Sequence, residues 1–268
     1  MLILGYALAV IVEFGLPIGL GLYLRRRYRA PWRLFLYGAL IFAAFQLLTR
    51  VPAVTLLGSV VQPGRHGEAF VWAWIAGLSL SAGIFEEVGR YVGYRWLFKP
   101  DERTARNALM FGAGHGGFES MALVGLSVLS TMVTVIALSR ADLAQLGLAP
   151  EQLAQVQRLL AMDWWMPLLG AFERVCAITV HVSLSLLVLQ VFQTGRFRWL
   201  WLAVGYHGLM NFAIVGLGAR FLGPVGAEGV AAAFAAFSAF LIYRLMSASA
   251  DDPTSQAPNA ARTAFSPD

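Results

Sequence analysis

Glu86, Glu87 and Arg90 stand in the stretch Ile84-Phe85-Glu86-Glu87-Val88-Gly89-Arg90, three ionisable side chains inside an apolar run from Ala69 to Phe98. Later apolar runs carry further polar residues: His115 and Glu119 in Gly112-Ala113-Gly114-His115-Gly116-Gly117-Phe118-Glu119, then Glu173 and His181, then His207 and Asn211. Carboxylates and imidazoles gathered away from bulk water are the ingredients of water activation. A glutamate beside apolar surface is a competent general base, while a second carboxylate stays ionised against an arginine. Amide hydrolysis also needs the developing oxyanion stabilised, and an imidazole N–H and a carboxamide on one helix face, His207 and Asn211, are suited to that.

The chain around these residues is too apolar for an ordinary soluble domain. Of 268 residues 58% are hydrophobic and 13% charged, with mean hydropathy +0.65, against about 25% charged in soluble domains. Apolar runs of about 20 residues match the helix length that crosses roughly 30 Å of hydrocarbon, and barrel strands would be short and alternating. The expected class is all-α: a polytopic transmembrane helical bundle of about seven spans in the cell (cytoplasmic) membrane. The basic residues lie in short loops rather than along one face, which excludes nucleic acid as a partner and leaves the lipid bilayer. The single cysteine, Cys176, allows no intrachain disulfide.

The runs are 2–24, 32–49, 69–98, 107–138, 164–192, 199–217 and 225–246, together a single transmembrane domain over 1–246. The site-bearing spans are 69–98, 107–138, 164–192 and 199–217. The segment 50–68, with Pro52, Pro63 and Gly64, reads as a loop, and 139–163 as a cap of short interfacial helices divided by Pro150. Residues 247–268, rich in Ser, Pro and Ala, are expected to form a disordered cytoplasmic tail. Of the 20 Lys and Arg, 12 fall at one end of the bundle, 5 at the other and 3 within spans. By the positive-inside rule the N-terminus is outside and the C-terminus cytoplasmic.

At about 1.5 Å rise per residue, Glu86 lies roughly 18 Å from the cytoplasmic end of its span, His115 roughly 12 Å, His181 roughly 16 Å, and His207 and Asn211 roughly 12 and 18 Å. Four spans thus place polar groups in one layer. Glu86 with Arg90, His115 with Glu119, and His207 with Asn211 are i,i+4 pairs, each on one helix face. Glu173 lies about 28 Å from the inner end and is turned roughly 80° from His181, so its expected partner is Arg174 or an external group. A charge near the bilayer centre costs about 2.5–3.5 kcal/mol on insertion scales, so the cluster needs a function. A structural ion pair would not require the second glutamate.

Glu86-Glu87-x-x-Arg90, Phe111-x-x-x-His115 and His207-x-x-x-Asn211 resemble the three motifs of the CPBP (CAAX protease and bacteriocin-processing, or Abi) superfamily of intramembrane proteases. Within it, the Gly-His-Gly-Gly-Phe-Glu stretch, with Glu173 and His181, is most similar to the YhfC family of intramembrane metalloproteases. The resemblance covers roughly Ala69 to Asn211. It implies an intramembrane endopeptidase, a hydrolase of glutamic or metallo type acting on a membrane-embedded or membrane-associated peptide substrate. Glu86 would be the water-activating base assisted by His115, Glu87 its support, and His207 with Asn211 the oxyanion pair. Arg90, Glu119, Glu173 and His181 would be supporting residues. The superfamily places its arginine five residues after the first glutamate, whereas Arg90 follows by four, a rotation of about 100°, and reads instead as a counter-charge to Glu87.

Zinc on His115, His181 and His207 and a metal-free glutamate mechanism both remain open, since no His-Glu-x-x-His is present. The bond cut is expected near the cytoplasmic half of the bilayer. Two other classes use the same residues: a transporter or proton or cation channel relaying charge through the Glu/His cluster, and a non-catalytic binding protein, with bis-histidine haem or an immunity partner as its forms.

Overall fold

The computed structural model describes residues 1–250. Among them every regular element is helical and no strand occurs. Helix α1 is Leu2–Tyr28; α2, Trp32–Phe42, passes through a π-helical stretch, Ala43–Arg50, into α3, Val51–Val61. Helix α4 is Glu68–Trp96; α5, Ala105–Glu119, runs through a second π-helical stretch, Ser120–Gly125, into α6, Leu126–Leu138. A short cap holds α7, Pro150–Leu160; then come α8, Met166–Thr194, and α9, Arg198–Asn211, which continues as a third π-helical stretch, Phe212–Leu222, before α10, Gly223–Ala250.

Six continuous helical stretches among the described residues are long and apolar enough to cross a membrane. The last, Arg198–Ser249, is 52 residues, about 78 Å if straight and more than twice the hydrocarbon thickness. It is not straight. Gly223 takes φ 69°, ψ −176°, a backbone state open mainly to glycine, and α10 folds back along the π-helical stretch and α8. The stretch makes two crossings, which gives seven passes and matches the expected class.

Two boundaries differ from the sequence expectation. The segment expected as a loop from Arg50 is helical to Val61, because Pro52 falls in the first turn after the π-helical stretch, where its missing N–H breaks no bond. Helix α10 runs four residues past the expected end at Met246, and the rest of the expected tail, 251–268, lies outside the described residues.

Close helix packing is concentrated at the basic end of the bundle. Helix α5 lies between α2 and α8 with its glycines turned to both. A Cβ at Gly112 would lie 2.7 Å from Val182 Cα, and one at Gly116 would lie 2.8 Å from His181 Cβ. Only backbone without side chains permits that approach. Below the polar layer Tyr94, Phe98 and Phe111 pack in tilted and edge-to-face contacts with ring centroids 4.8–5.2 Å apart and are at most 4% exposed. They seal the basic end. Toward the other end the packing loosens: α3 has no buried residue and α6 only Val135.

Candidate active site

Three helices bring one imidazole each to a carboxylate on a fourth. Glu86 of α4 receives a hydrogen bond on Oε2 from His115 Nε2 of α5 at 3.0 Å. The same oxygen lies 3.8 Å from His181 Nδ1 of α8, and Oε1 lies 3.9 Å from His207 Nε2 of α9. Glu86 Oε1 makes no hydrogen bond among the described residues. Glu86, His115, His181 and His207 are all 0–3% exposed. The depth convergence expected from the helix rise is therefore a spatial one.

The second carboxylate does different work. Glu87 Oε1 accepts from His207 Nδ1 at 2.7 Å and pairs with the Arg90 guanidinium one turn on. With Nδ1 donating to Glu87, His207 turns Nε2 toward Glu86, its ring orientation set by its carboxylate partner. Arg90 Nη2 donates to His181 Nδ1 at 2.6 Å and lies 4.0 Å from Glu86. Arg90 is thus the counter-charge to Glu87, as the offset in spacing implied, and also reaches across to α8. Its side chain is wholly buried.

Glu119 approaches His181 from the opposite side, its Oε2 2.5 Å from Nε2, and its Oε1 accepts from Arg174 Nη1 at 3.1 Å. Arg174 also pairs with Glu173, one of the partners expected for that residue. Glu173 touches none of the central four. Ser120, next to Glu119, donates to the buried Glu13 of α1 at 2.6 Å, a contact with no signal in the sequence motifs.

A cavity of about 280 Å³ reaches Glu86, with Glu119, His181, His207 and Asn211 also in its wall. Asn211 makes no side-chain hydrogen bond among the described residues. Every other lining residue lies on one side of the cluster: Ile75, Leu78, Ser79 and Ala82 before Glu86 on α4, Cys176 and Ala177 before His181 on α8, and Ile214 and Val215 after His207. That is the side away from the basic loops. The aromatic cluster of Tyr94, Phe98 and Phe111 fills the side toward the basic loops, and the space lies on the other. Two lining residues, Gln46 and Arg50, were not anticipated. Their i,i+4 spacing is visible in the sequence, but Gln46 falls in the run 32–49 and Arg50 opens the segment read as a loop.

All three π-helical stretches border this cavity: Gln46 and Arg50 lie in the first, Glu119 adjoins the second, and Ile214 and Val215 lie in the third. The wider π turn displaces helix walls at functional sites.

Ligand atoms of Glu86, His115 and His181 all lie within 4.8 Å of one another. The three-histidine set expected from the sequence is thus drawn differently, with the Glu86 carboxylate closer in than His207. Carboxylate oxygen and imidazole nitrogen suit zinc, and Glu87 on His207 and Glu119 on His181 are the carboxylate partners that orient such imidazoles. The donor set fits a metal. Arg90, 2.6 Å from His181 Nδ1, would have to release that nitrogen if His181 ligates through it.

A many-pass helical bundle with a buried Glu/His cluster at the floor of a cavity is the architecture of a multi-pass membrane protein. The chain belongs to the YhfC intramembrane metalloprotease family, whose pattern matches residues 12–225. It is 36% identical over 217 residues to the uncharacterized membrane protein YhfC of Bacillus subtilis (strain 168), covering 78% of this chain and 82% of that one. No solved structure matches it.

Proposed function

We propose that the protein is an intramembrane endopeptidase that hydrolyses a peptide bond of a membrane-embedded substrate at Glu86. The observation that carries this is the pairing of a cavity with a carboxylate held on one oxygen by His115 and free on the other. Water in the cavity gives its proton to Glu86 Oε1 and attacks the scissile carbonyl. His115 fixes the rotamer of Glu86. Glu87 and Arg90 hold His207 in place, and Glu119 and Arg174 do the same for His181. His207, protonated at Nε2 against the paired Glu87 carboxylate, donates with Asn211 to the oxyanion. The proton on Glu86 then passes to the leaving amine.

Zinc would be held by Glu86, His115 and His181, with His207 nearest after them. When bound it supplies Lewis acidity and an acidified water. With the basic loops in the cytoplasm of a bacterial-type cell membrane, N-terminus out and C-terminus in, cleavage falls in the half of the bilayer away from the cytoplasm.

The test is elemental analysis of purified protein alongside cleavage of fluorogenic membrane-spanning peptides in proteoliposomes. About one zinc per chain, lost in His115→Ala together with cleavage, is expected. Cleavage undiminished after metal is stripped would leave the glutamate mechanism alone. Glu86-dependent proton flux with no cleavage would make the protein a transporter.

A further inference from the structure

Most charged residues in the cavity wall stand within 4 Å of an opposite charge. Glu119 and Glu173 share Arg174, and Glu86 has Arg90 at 4.0 Å. Arg50 forms no ion pair among the described residues. Its Nε donates to Ser81 Oγ at 3.0 Å and Nη2 to the Leu78 carbonyl at 2.6 Å, which pins the guanidinium against α4 with Nη1 unengaged. One turn earlier on the same face stands Gln46, 8% exposed, whose Oε1 is buried with no hydrogen-bond partner. Buried amides of this kind are rarely left unmade. A guanidinium outside any ion pair, with Nη1 unengaged, and an amide oxygen without a partner stand side by side in the cavity that reaches Glu86, and an extended peptide with an anionic group would complete both.

We propose that Gln46 and Arg50 form the substrate-binding wall of this cavity, Gln46 bonding the peptide backbone and Arg50 a carboxylate of the substrate. This rests on the endopeptidase reading and names its substrate class. Arg50 touches Ser81, five residues before Glu86 on α4, about 7.5 Å along the axis. An extended chain covers that in about two residues at 3.3–3.6 Å each. The preferred substrate therefore carries an acidic side chain, or its terminal carboxylate, about two residues from the bond that is cut. A guanidinium and a carboxylate match in geometry and charge.

The test uses full-length protein in nanodiscs and capped membrane-spanning peptides in which Asp, Asn or Lys is walked across the cleavage region, plus one set ending in a free carboxylate. Binding is read by fluorescence on Glu86→Gln protein, so nothing is consumed, and cleavage on the wild type. Asp at one position should bind about 10- to 150-fold more tightly than Asn, the range of a charge-assisted bond. Arg50→Gln should erase that ratio while Asn peptides bind as before, Arg50→Lys should keep part of it, and Arg50→Glu should shift preference to Lys. Gln46→Leu should weaken all peptides alike. Equal binding of Asp and Asn at every position, or a ratio that survives Arg50→Gln, overturns the proposal. So does competition by anionic lipid that is equal for Asp and Asn peptides, since Arg50 then holds a lipid phosphate. Discrimination in binding with no cleavage by the wild type would leave this site standing and remove the protease reading. Cleavage without discrimination would do the reverse.

Discussion

Glu86 and Glu87 are adjacent in sequence and differently partnered. Glu87 is consumed by Arg90 and His207, while Glu86 keeps one oxygen facing a cavity. The Arg90–Glu87 pairing was legible in the sequence because helix spacing turns the two carboxylates about 100° apart and sets Arg90 within reach of Glu87. The path from Arg90 to His181 was not legible, since a contact between α4 and α8 has no local signature. Removing Arg90 strands a buried carboxylate, and breaking a buried pair from one side costs about 3–5 kcal/mol. Arg90→Ala should therefore lower thermal stability in detergent by that order, and the double variant Arg90→Leu, Glu87→Leu should recover much of it. A single-variant cost near zero would mean that the pair is not the buried lock described here.

Glycine and the π turn shape the elements that carry these side chains. The four glycines around His115 read equally as packing or as a gate; Gly112 and Gly116 are packing positions, set against Val182 and His181. A branched side chain at Gly116 must displace the His181 ring. Misplacing a reacting group by about 1 Å costs on the order of 100-fold in rate, and overpacking costs about 1–3 kcal/mol. Gly116→Val should lose turnover by at least that factor and lose bound zinc, while Gly205→Val, at a glycine with open space beside it, should change neither. Equal effects at both positions would refute the packing role. The π-helical stretches were beyond sequence reading: the hydrophobic pattern runs through them unbroken, and only the helix bonding register changes. The sequence therefore places Gln46 in the span 32–49 but opens a loop at Arg50, where the helix in fact continues.

The bundle as a whole is sealed at one end and hollow at the other. Hydropathy gave the crossings and the polar layer, but it carries no information on where space is left, so the side of access emerged only from the packing of Tyr94, Phe98 and Phe111. With Cys176 replaced by Ala, Ile75→Cys in the cavity wall should react with a charged, membrane-impermeant thiol reagent from the extracytoplasmic side and be protected by bound peptide. Reaction only from the cytoplasmic side would invert either the topology or the direction of access.

The most direct measurement is turnover of a fluorogenic membrane-spanning peptide by wild-type and Glu86→Gln protein in proteoliposomes, with insertion and folding matched by protease protection. Wild-type protein should cut the peptide at one bond and Glu86→Gln should cut nothing while inserting normally. A correctly inserted Glu86→Gln protein that cleaves at the wild-type rate would contradict the assignment of Glu86 as the group that activates water.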